Sequence, residues 1–230
     1  MRAHRLWMVV FAATAIFISV AAATPPQVPQ SFDIAHERPR FVRLSDAGPS
    51  FFAYDGDPTL GRSGRDWPVS LVFTGNASVT RVKKELRAAG LTRAGHTRYL
   101  AYRTADATIR FDGDRGLKSA CDANGTDTHV RLYAPTATDT FVDPEFGSVV
   151  LGTAHLDRAD GCSVQPTMFG FSEQAEERVA ALLARRGWRV QADRLALGNA
   201  EPYRREVIDP AHVWWSDGRA TVITVPGSRR

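Results

Sequence analysis

Cysteine is scarce in this chain, which has two, Cys121 and Cys162, among 230 residues. Neither belongs to a C-x-x-C pair, and this argues against a zinc ribbon, a thioredoxin-like redox site or a disulfide-dense scaffold. Outside the cytoplasm two thiols most simply form one disulfide, so the sequence predicts a Cys121–Cys162 bond. Two free thiols, or half of a metal site, are the alternatives.

Several catalytic and nucleotide-binding motifs are also missing. The chain contains no G-x-G-x-x-G, no P-loop, no H-E-x-x-H and no G-x-S-x-G. A strong excess of one charge sign is missing too, because 29 basic and 25 acidic residues leave a net charge of +4. So small a charge gives no strong field for a polyanion, and we expect no nucleic-acid partner.

Long apolar runs are missing everywhere except at the N-terminus. Arg2 and Arg5 precede the uncharged stretch 6–20, and Ala21–Ala23 supplies the small residues that a signal peptidase needs. Residues 1–23 are therefore predicted to be a signal peptide or, if uncleaved, an anchor that is the chain's one membrane contact. Either outcome makes the rest of the chain secreted or extracytoplasmic.

Composition divides the remainder into a linker, one domain and a tail. Residues 24–66 are rich in proline and glycine, and we interpret them as a linker and docking segment whose apolar part, Phe51–Tyr54, packs on a later core. Residues 67–226 alternate strand and helix patterns and form a single domain, and 227–230 form a tail. The periodicity predicts two main helices, one between Ser78 and Gly90 and one over 172–186.

The order of the predicted elements indicates the fold class. It reads β-α-β-β-β-α-β-β, with a C-terminal hairpin over 213–225, and this favours an α+β two-layer sandwich. A mostly antiparallel sheet would carry both helices on one face. The other face must then be polar, or be covered by the N-terminal segment or the C-terminal hairpin.

Short motifs within the domain resemble one known family. Leu86–Gly90, then His129–Tyr133, then a glycine-containing strand and an acidic helix resemble the bacterial LssY C-terminal domain over about residues 69–190. The resemblance implies a bacterial envelope setting and no established chemistry. That family's histidine-containing segment is replaced here by Gln165–Phe171, which has no histidine, so no role of that segment is carried over.

Residues 127–133 and 147–157 are the most informative pair of segments. Successive side chains of a strand point to opposite faces, and an antiparallel register that opposes His129 to His155 buries the apolar residues of both strands together. The same register brings the two cysteines to one end of the pair. The residues that it gathers on the polar face are Asp127, His129, Arg131, Tyr133, Thr153, His155 and Asp157.

Binding is the leading function predicted for this polar face. The partner would be a small ligand or an unknown envelope component, and no catalysis is assigned. The predicted ligand contacts are His129, Arg131, Tyr133 and His155. A purely structural envelope module without a ligand is one alternative.

Metal chemistry is the other alternative. Directly opposed strand residues have Cβ atoms about 5 Å apart, so both imidazoles can reach one zinc-like ion, and an open position would activate water for hydrolysis. The ligand set would be Asp127, His129, His155 and Asp157. Calcium is a further candidate, because 112–114 and 122–127 gather Asp, Asn and Gly as calcium loops do. No other cofactor is expected.

Overall fold

The structure, a computed structural model, describes residues 41–60, 65–94, 99–103, 108–113, 116–123, 125–135, 137–157, 172–200 and 216–227. The predicted signal peptide or anchor (1–23) lies outside these residues, as do Cys162 and 228–230. Within the described ranges, no helix is long and apolar enough to cross a membrane.

The described residues form two helices and a series of short and long strands. The helices are α1 (Val79–Ala88) and α2 (Ser172–Arg185). The strands are β1 (Phe41–Val42), β2 (Ser50–Phe52), β3 (Tyr54–Gly56), β4 (Arg65–Asn76), β5 (Thr92–Arg93), β6 (Tyr99–Arg103), β7 (Thr108–Asp112), β8 (Leu117–Lys118), β9 (Asp127–Tyr133), β10 (Phe141–Asp143), β11 (Gly147–Asp157), β12 (Arg189–Ala196) and β13 (Arg219–Val225).

Local sequence signals explain the bounds of α1. The side-chain oxygen of Ser78 accepts a hydrogen bond from the backbone N–H of Arg81 at 3.1 Å and so caps the first turn. Val82 and Leu86 lie one turn apart and are fully buried. Gly90 follows with φ of 101°, a conformation that ends a helix and that glycine adopts without strain.

A nine-stranded sheet forms the centre of the fold. Its strands run in the order β12-β13-β4-β11-β9-β8-β5, with β10 added to β11 and β3 added to β4. The β13–β4 pairing is parallel, and the other pairings are antiparallel. The predicted α+β class with a mostly antiparallel sheet is confirmed.

The two helices pack on one face of this sheet. α2 lies mainly against β11, β4 and β12, and α1 lies against β8 and β9. They meet where Arg186, directly after α2, donates through Nη1 to the carbonyl oxygen of Ala88 at 3.2 Å. Their buried apolar residues belong to the same core as those of the sheet.

A four-stranded sheet, in the order β1-β2-β6-β7, covers the opposite face. Phe141 of β10 contacts Tyr102 of β6 and Phe111 of β7, with ring centroids 5.3 and 5.9 Å apart. The segment Phe51–Tyr54 is buried, with each side chain at most 1% exposed. The N-terminal segment therefore covers the face that the helices leave open, together with β6 and β7 from the middle of the chain.

The C-terminal segment is a central strand of the large sheet. β13 lies between β12 and β4, where Val222 is matched with Val72 and Ile223 with Phe73. All four side chains are buried. The first strand of the predicted hairpin, 213–215, lies outside the described residues.

Gly152, in the middle of β11, provides a test of this packing. A Cβ at this position would lie 3.1 Å from Leu71 Cβ and 3.3 Å from Phe73 Cε2. We expect Gly152→Val to lower the free energy of unfolding by about 1–3 kcal/mol, measured by urea denaturation. Gly227→Val is the control, because nothing lies within 4 Å of a Cβ there. Equal stability of the two variants would contradict this packing.

Candidate functional site

The predicted pairing of the two informative segments is confirmed. β9 and β11 are antiparallel neighbours, and their register opposes Asp127 to Asp157, His129 to His155 and Arg131 to Thr153. The polar residues of both strands therefore share one face of the sheet, as the alternation predicts.

The structure places this polar face in the interior. Tyr133 is 0%, His155 is 1% and Arg131 is 6% exposed. His129 is partly open, with 12% of its side chain accessible. The predicted ligand contacts thus come together, but three of the four are buried.

Asp55 of β3 is the central acceptor of a buried hydrogen-bond network. Its Oδ2 accepts from Arg131 Nη1 at 3.1 Å, from the Tyr133 hydroxyl at 2.7 Å and, more weakly, from the Thr153 hydroxyl at 3.5 Å. Its Oδ1 accepts from the backbone N–H of Trp67 at 2.7 Å. We call these five residues the Asp55 network. Arg131 Nη1 and the Tyr133 hydroxyl therefore donate to a buried carboxylate of the same chain.

Tyr133 is held in its protonated form within the Asp55 network. Burial raises the pKa of Tyr133 well above its usual range, and the negative charge of Asp55 raises it further. The neighbouring Arg131 acts in the opposite direction but does not offset these effects. The hydroxyl therefore serves as a stable donor to the carboxylate and not as an acid that titrates.

The two histidines lie next to this network. The ring of His155 stacks on Trp67, with centroids 4.0 Å apart and planes 3° from parallel. The centroid of the His129 ring lies 5.1 Å from that of the His155 ring. His129 Nε2 is 3.0 Å from Asp127 Oδ1, and Lys118 Nζ is 3.5 Å from Asp127 Oδ2. We call these five residues the histidine cluster.

The predicted metal sites have no matching ligand cluster in the described part of the chain. No group of three or more His, Cys, Asp or Glu side chains there is arranged to hold a metal ion. The side chain of Asp157, one of the predicted zinc ligands, lies outside the described residues. The other three predicted ligands, Asp127, His129 and His155, are among the described residues and do not by themselves form such a group.

Asp122, in one of the two predicted calcium loops, makes a local turn. Its Oδ1 accepts from the backbone N–H of Thr126 at 2.9 Å and its Oδ2 accepts from the Thr126 hydroxyl at 2.8 Å. The same Oδ2 lies 2.9 Å from Arg178 Nη2. Asn124 and Asp114, which belong to the predicted loops, lie outside the described residues.

A cleft of about 810 Å³ opens on the helix side of the sheet. We call it the α2 cleft, because α2 forms one wall, while the end of α1 and the connection between β8 and β9 form the other. The lining residues are Ala89, Gly90, Leu91, Ser119, Ala120, Cys121, Asp122, Thr128, Glu177, Arg178, Val179, Ala181, Leu182 and Arg185.

Small and apolar side chains dominate the α2 cleft, and ion pairs brace its walls. Leu91 and Val179, which line the cleft, are buried. The Arg178–Asp122 pair joins α2 to the opposite wall at 2.9 Å. Near the end of α2, Arg186 Nη2 pairs with Glu85 of α1 at 3.1 Å.

Cys121 also lines the α2 cleft and is not a free thiol. Its predicted partner, Cys162, lies outside the described residues, so the Cys121–Cys162 disulfide stays a prediction.

Sequence reasoning did not find the residues that complete these sites. Asp55 stands in an Asp-Gly-Asp turn motif, and Lys118 and Trp67 carry no motif. Asp55 is separated from Arg131 by 76 positions in the chain. No local periodicity could indicate that contact.

Comparison with family models, with curated proteins and with solved structures found no match to this chain. The resemblance to the LssY C-terminal domain therefore stays a prediction. The functional argument depends on the geometry of the chain itself.

Asp55→Asn tests the Asp55 network. Asparagine removes the charge that neutralises buried Arg131. Its amide N–H₂ would also replace one acceptor oxygen and would face groups that donate to Asp55. We expect a loss of about 3–5 kcal/mol in the free energy of unfolding, measured by urea denaturation. Asp46→Asn, an exposed position in the same N-terminal segment, should change it by less than about 0.5 kcal/mol. A loss no larger for Asp55→Asn than for this control would show that the network is not stabilising.

Proposed function

We propose that this chain is an exported, envelope-associated α+β domain that binds a small amphipathic molecule in the α2 cleft. The observation that carries this proposal is the volume of the cleft, about 810 Å³. Small-molecule sites typically enclose about 300–1,000 Å³ and have mainly apolar walls with a few polar groups.

The lining of the α2 cleft supports a ligand with an apolar body. Ala181 and Leu182 of α2 face the cleft across from Ala89 and Leu91. Burying apolar ligand surface against them would stabilise a complex by about 25 cal/mol per Å². Arg178 is neutralised by Asp122, so the middle of the cleft has no strong net charge.

We choose the α2 cleft over the polar face of β9 and β11 because the polar side chains of that face already form hydrogen bonds with each other. Arg131 and Tyr133 already donate to Asp55. A ligand on that face would have to break buried, charge-assisted hydrogen bonds, each worth about 1.5–3 kcal/mol. The α2 cleft is already open, and the Arg178–Asp122 pair that joins its walls is partly exposed, so binding there breaks no buried hydrogen bond of this kind.

The extracytoplasmic setting comes from the N-terminal sequence. Arg2 and Arg5, the apolar stretch 6–20 and Ala21–Ala23 have the arrangement of an export signal. We propose a ligand that occurs outside the cytoplasm or in the envelope.

Blocking the α2 cleft tests the binding function. The neutral fluorophore N-phenyl-1-naphthylamine should bind the purified chain saturably, at one site. Ala181→Trp places an indole in the cleft, and we expect it to weaken binding at least tenfold. Ala184→Trp is the matched control, because Ala184 is an exposed alanine of the same helix that does not line the cleft. Both variants should keep the thermal midpoint of the wild type.

Two outcomes would contradict the binding proposal. Unchanged affinity in Ala181→Trp would place the fluorophore elsewhere. No saturable binding by the wild type would favour a purely structural envelope module.

A metal-dependent hydrolase is the second candidate, favoured by the 5.1 Å separation of the His129 and His155 rings. Metal analysis after dialysis against micromolar zinc separates the two functions. The binding proposal expects no stoichiometric zinc. One zinc per chain that is lost in His129→Ala and kept in Lys118→Ala would favour the hydrolase instead.

A further inference from the structure

Two carboxyl groups in the first turns of α2 bind the backbone of the C-terminal segment. Glu173 Oε1 accepts from the backbone N–H of Asp217 at 2.9 Å, and Glu176 Oε1 accepts from that of Thr221 at 2.7 Å. Glu176 is 2% exposed, and its Oε2 has no hydrogen-bond partner among the described residues. We call these four residues the carboxyl clamp.

An irregularity between β12 and β13 explains why Glu176 is needed. Gln191 is matched with Val222 and Leu195 with Ala220, so the register of β12 skips Thr221, whose hydroxyl accepts a hydrogen bond from the backbone N–H of Asp193 at 3.4 Å. Asp193 stands in the intervening bulge with φ of 48°. The Glu176 carboxyl group fills the place of a strand partner for the buried N–H of Thr221.

The groups that face the carboxyl clamp are mainly acidic. Asp193 of β12 and Asp217 before β13 both disfavour ionisation of Glu173. Arg219 of β13 directs its Nε to the carbonyl oxygen of Asp193 at 2.9 Å. No salt bridge within the described ranges includes Glu173 or Glu176.

The environment therefore favours the protonated form of both clamp carboxyls. Burial raises the pKa of Glu173 to about 7, and it raises the pKa of Glu176 well above its usual range. The hydrogen bonds from Asp217, Ser216 and Thr221 act in the opposite direction but do not cancel the cost of burial. The negative charge of Glu173 further disfavours ionisation of Glu176.

We propose that the carboxyl clamp is a proton-dependent latch that fixes α2 against β13 and thereby holds the wall of the α2 cleft. In the protonated form the clamp keeps α2 against the sheet. Ionisation puts uncompensated charge between α2, β12 and β13 and loosens the first turns of the helix. Glu177 and Arg178, which line the cleft, directly follow Glu176 in the chain. The link to the cleft rests on the proposed binding function, whereas the latch itself does not.

The direction of the pH effect follows from the raised pKa values. A carboxyl whose pKa is higher in the folded than in the unfolded chain binds its proton more tightly when folded. Its contribution to stability is fully present below the ordinary value of 4.5 and is lost as the pH rises to about 7 for Glu173. Glu176 extends the loss to higher pH.

Glu176→Gln tests the latch, because glutamine keeps the acceptor oxygen and does not ionise. Hydrogen exchange of the Thr221 and Asp217 amides is compared between wild type and variant at the same pH, from 5 to 8. We expect protection in the wild type to fall at least tenfold relative to Glu176→Gln as the pH rises. The thermal midpoint of the wild type should fall by about 5 °C or more over this range, and that of the variant by less. Glu145→Gln, at an exposed position outside the clamp, should behave as the wild type.

Identical pH dependence in the wild type and Glu176→Gln would overturn the latch. If Glu176→Gln does not fold, Glu173→Gln at the half-buried position supplies the same comparison. Affinity for N-phenyl-1-naphthylamine measured at pH 5 and pH 8 tests the link to the cleft. It should weaken at pH 8 in the wild type and stay constant in the glutamine variant. If the pH changes hydrogen exchange but not the affinity, the latch stands and its link to the cleft is overturned. If the fluorophore does not bind at any pH, the proposed binding function is refuted, and the hydrogen-exchange comparison still tests the latch.

Discussion

The buried contact between Asp55 and Arg131 is the constraint on which the arrangement of the layers depends. Both charges lie where water cannot solvate them, so each is tolerated only because the other is 3.1 Å away and further hydrogen bonds complete the pair. The contact fixes β3 over β9 and β11. Asn199 supports the same packing by donating to the carbonyl oxygens of Ala53 and Val69, both at 2.9 Å.

This constraint assigns different roles to the two faces of the large sheet. On one face, polar side chains are paired with each other beneath the N-terminal strands and connect β9 and β11 to β3. On the other face, α2 contacts the sheet through apolar residues and leaves a cleft beside α1. α2 thus carries the carboxyl clamp in its first turns and lining residues of the cleft along its length, so the proposed loosening at the clamp would shift one wall of the cleft.

Much of the local structure was predictable because its causes are local. Ser78 and Gly90 mark the ends of α1 by capping chemistry that acts over a few residues. The β9–β11 register was predictable because slipping it by one residue would place the apolar side chains of one strand on the polar face of the other. The opposition of His129 and His155 followed from that register alone.

The sequence by itself determined the two helices, the strands β9 and β11, the α+β class and the sharing of one sheet face by the histidines and Arg131. Only the tertiary structure decided that this face is interior, because Asp55, 76 positions from Arg131, supplies the missing acceptor. It also decided where a cavity remains, since the gap between α1 and α2 depends on how the two helices meet. The periodicity of a strand predicts to which face of the sheet a side chain points. Long-range packing decides whether that face is exposed to solvent or buried.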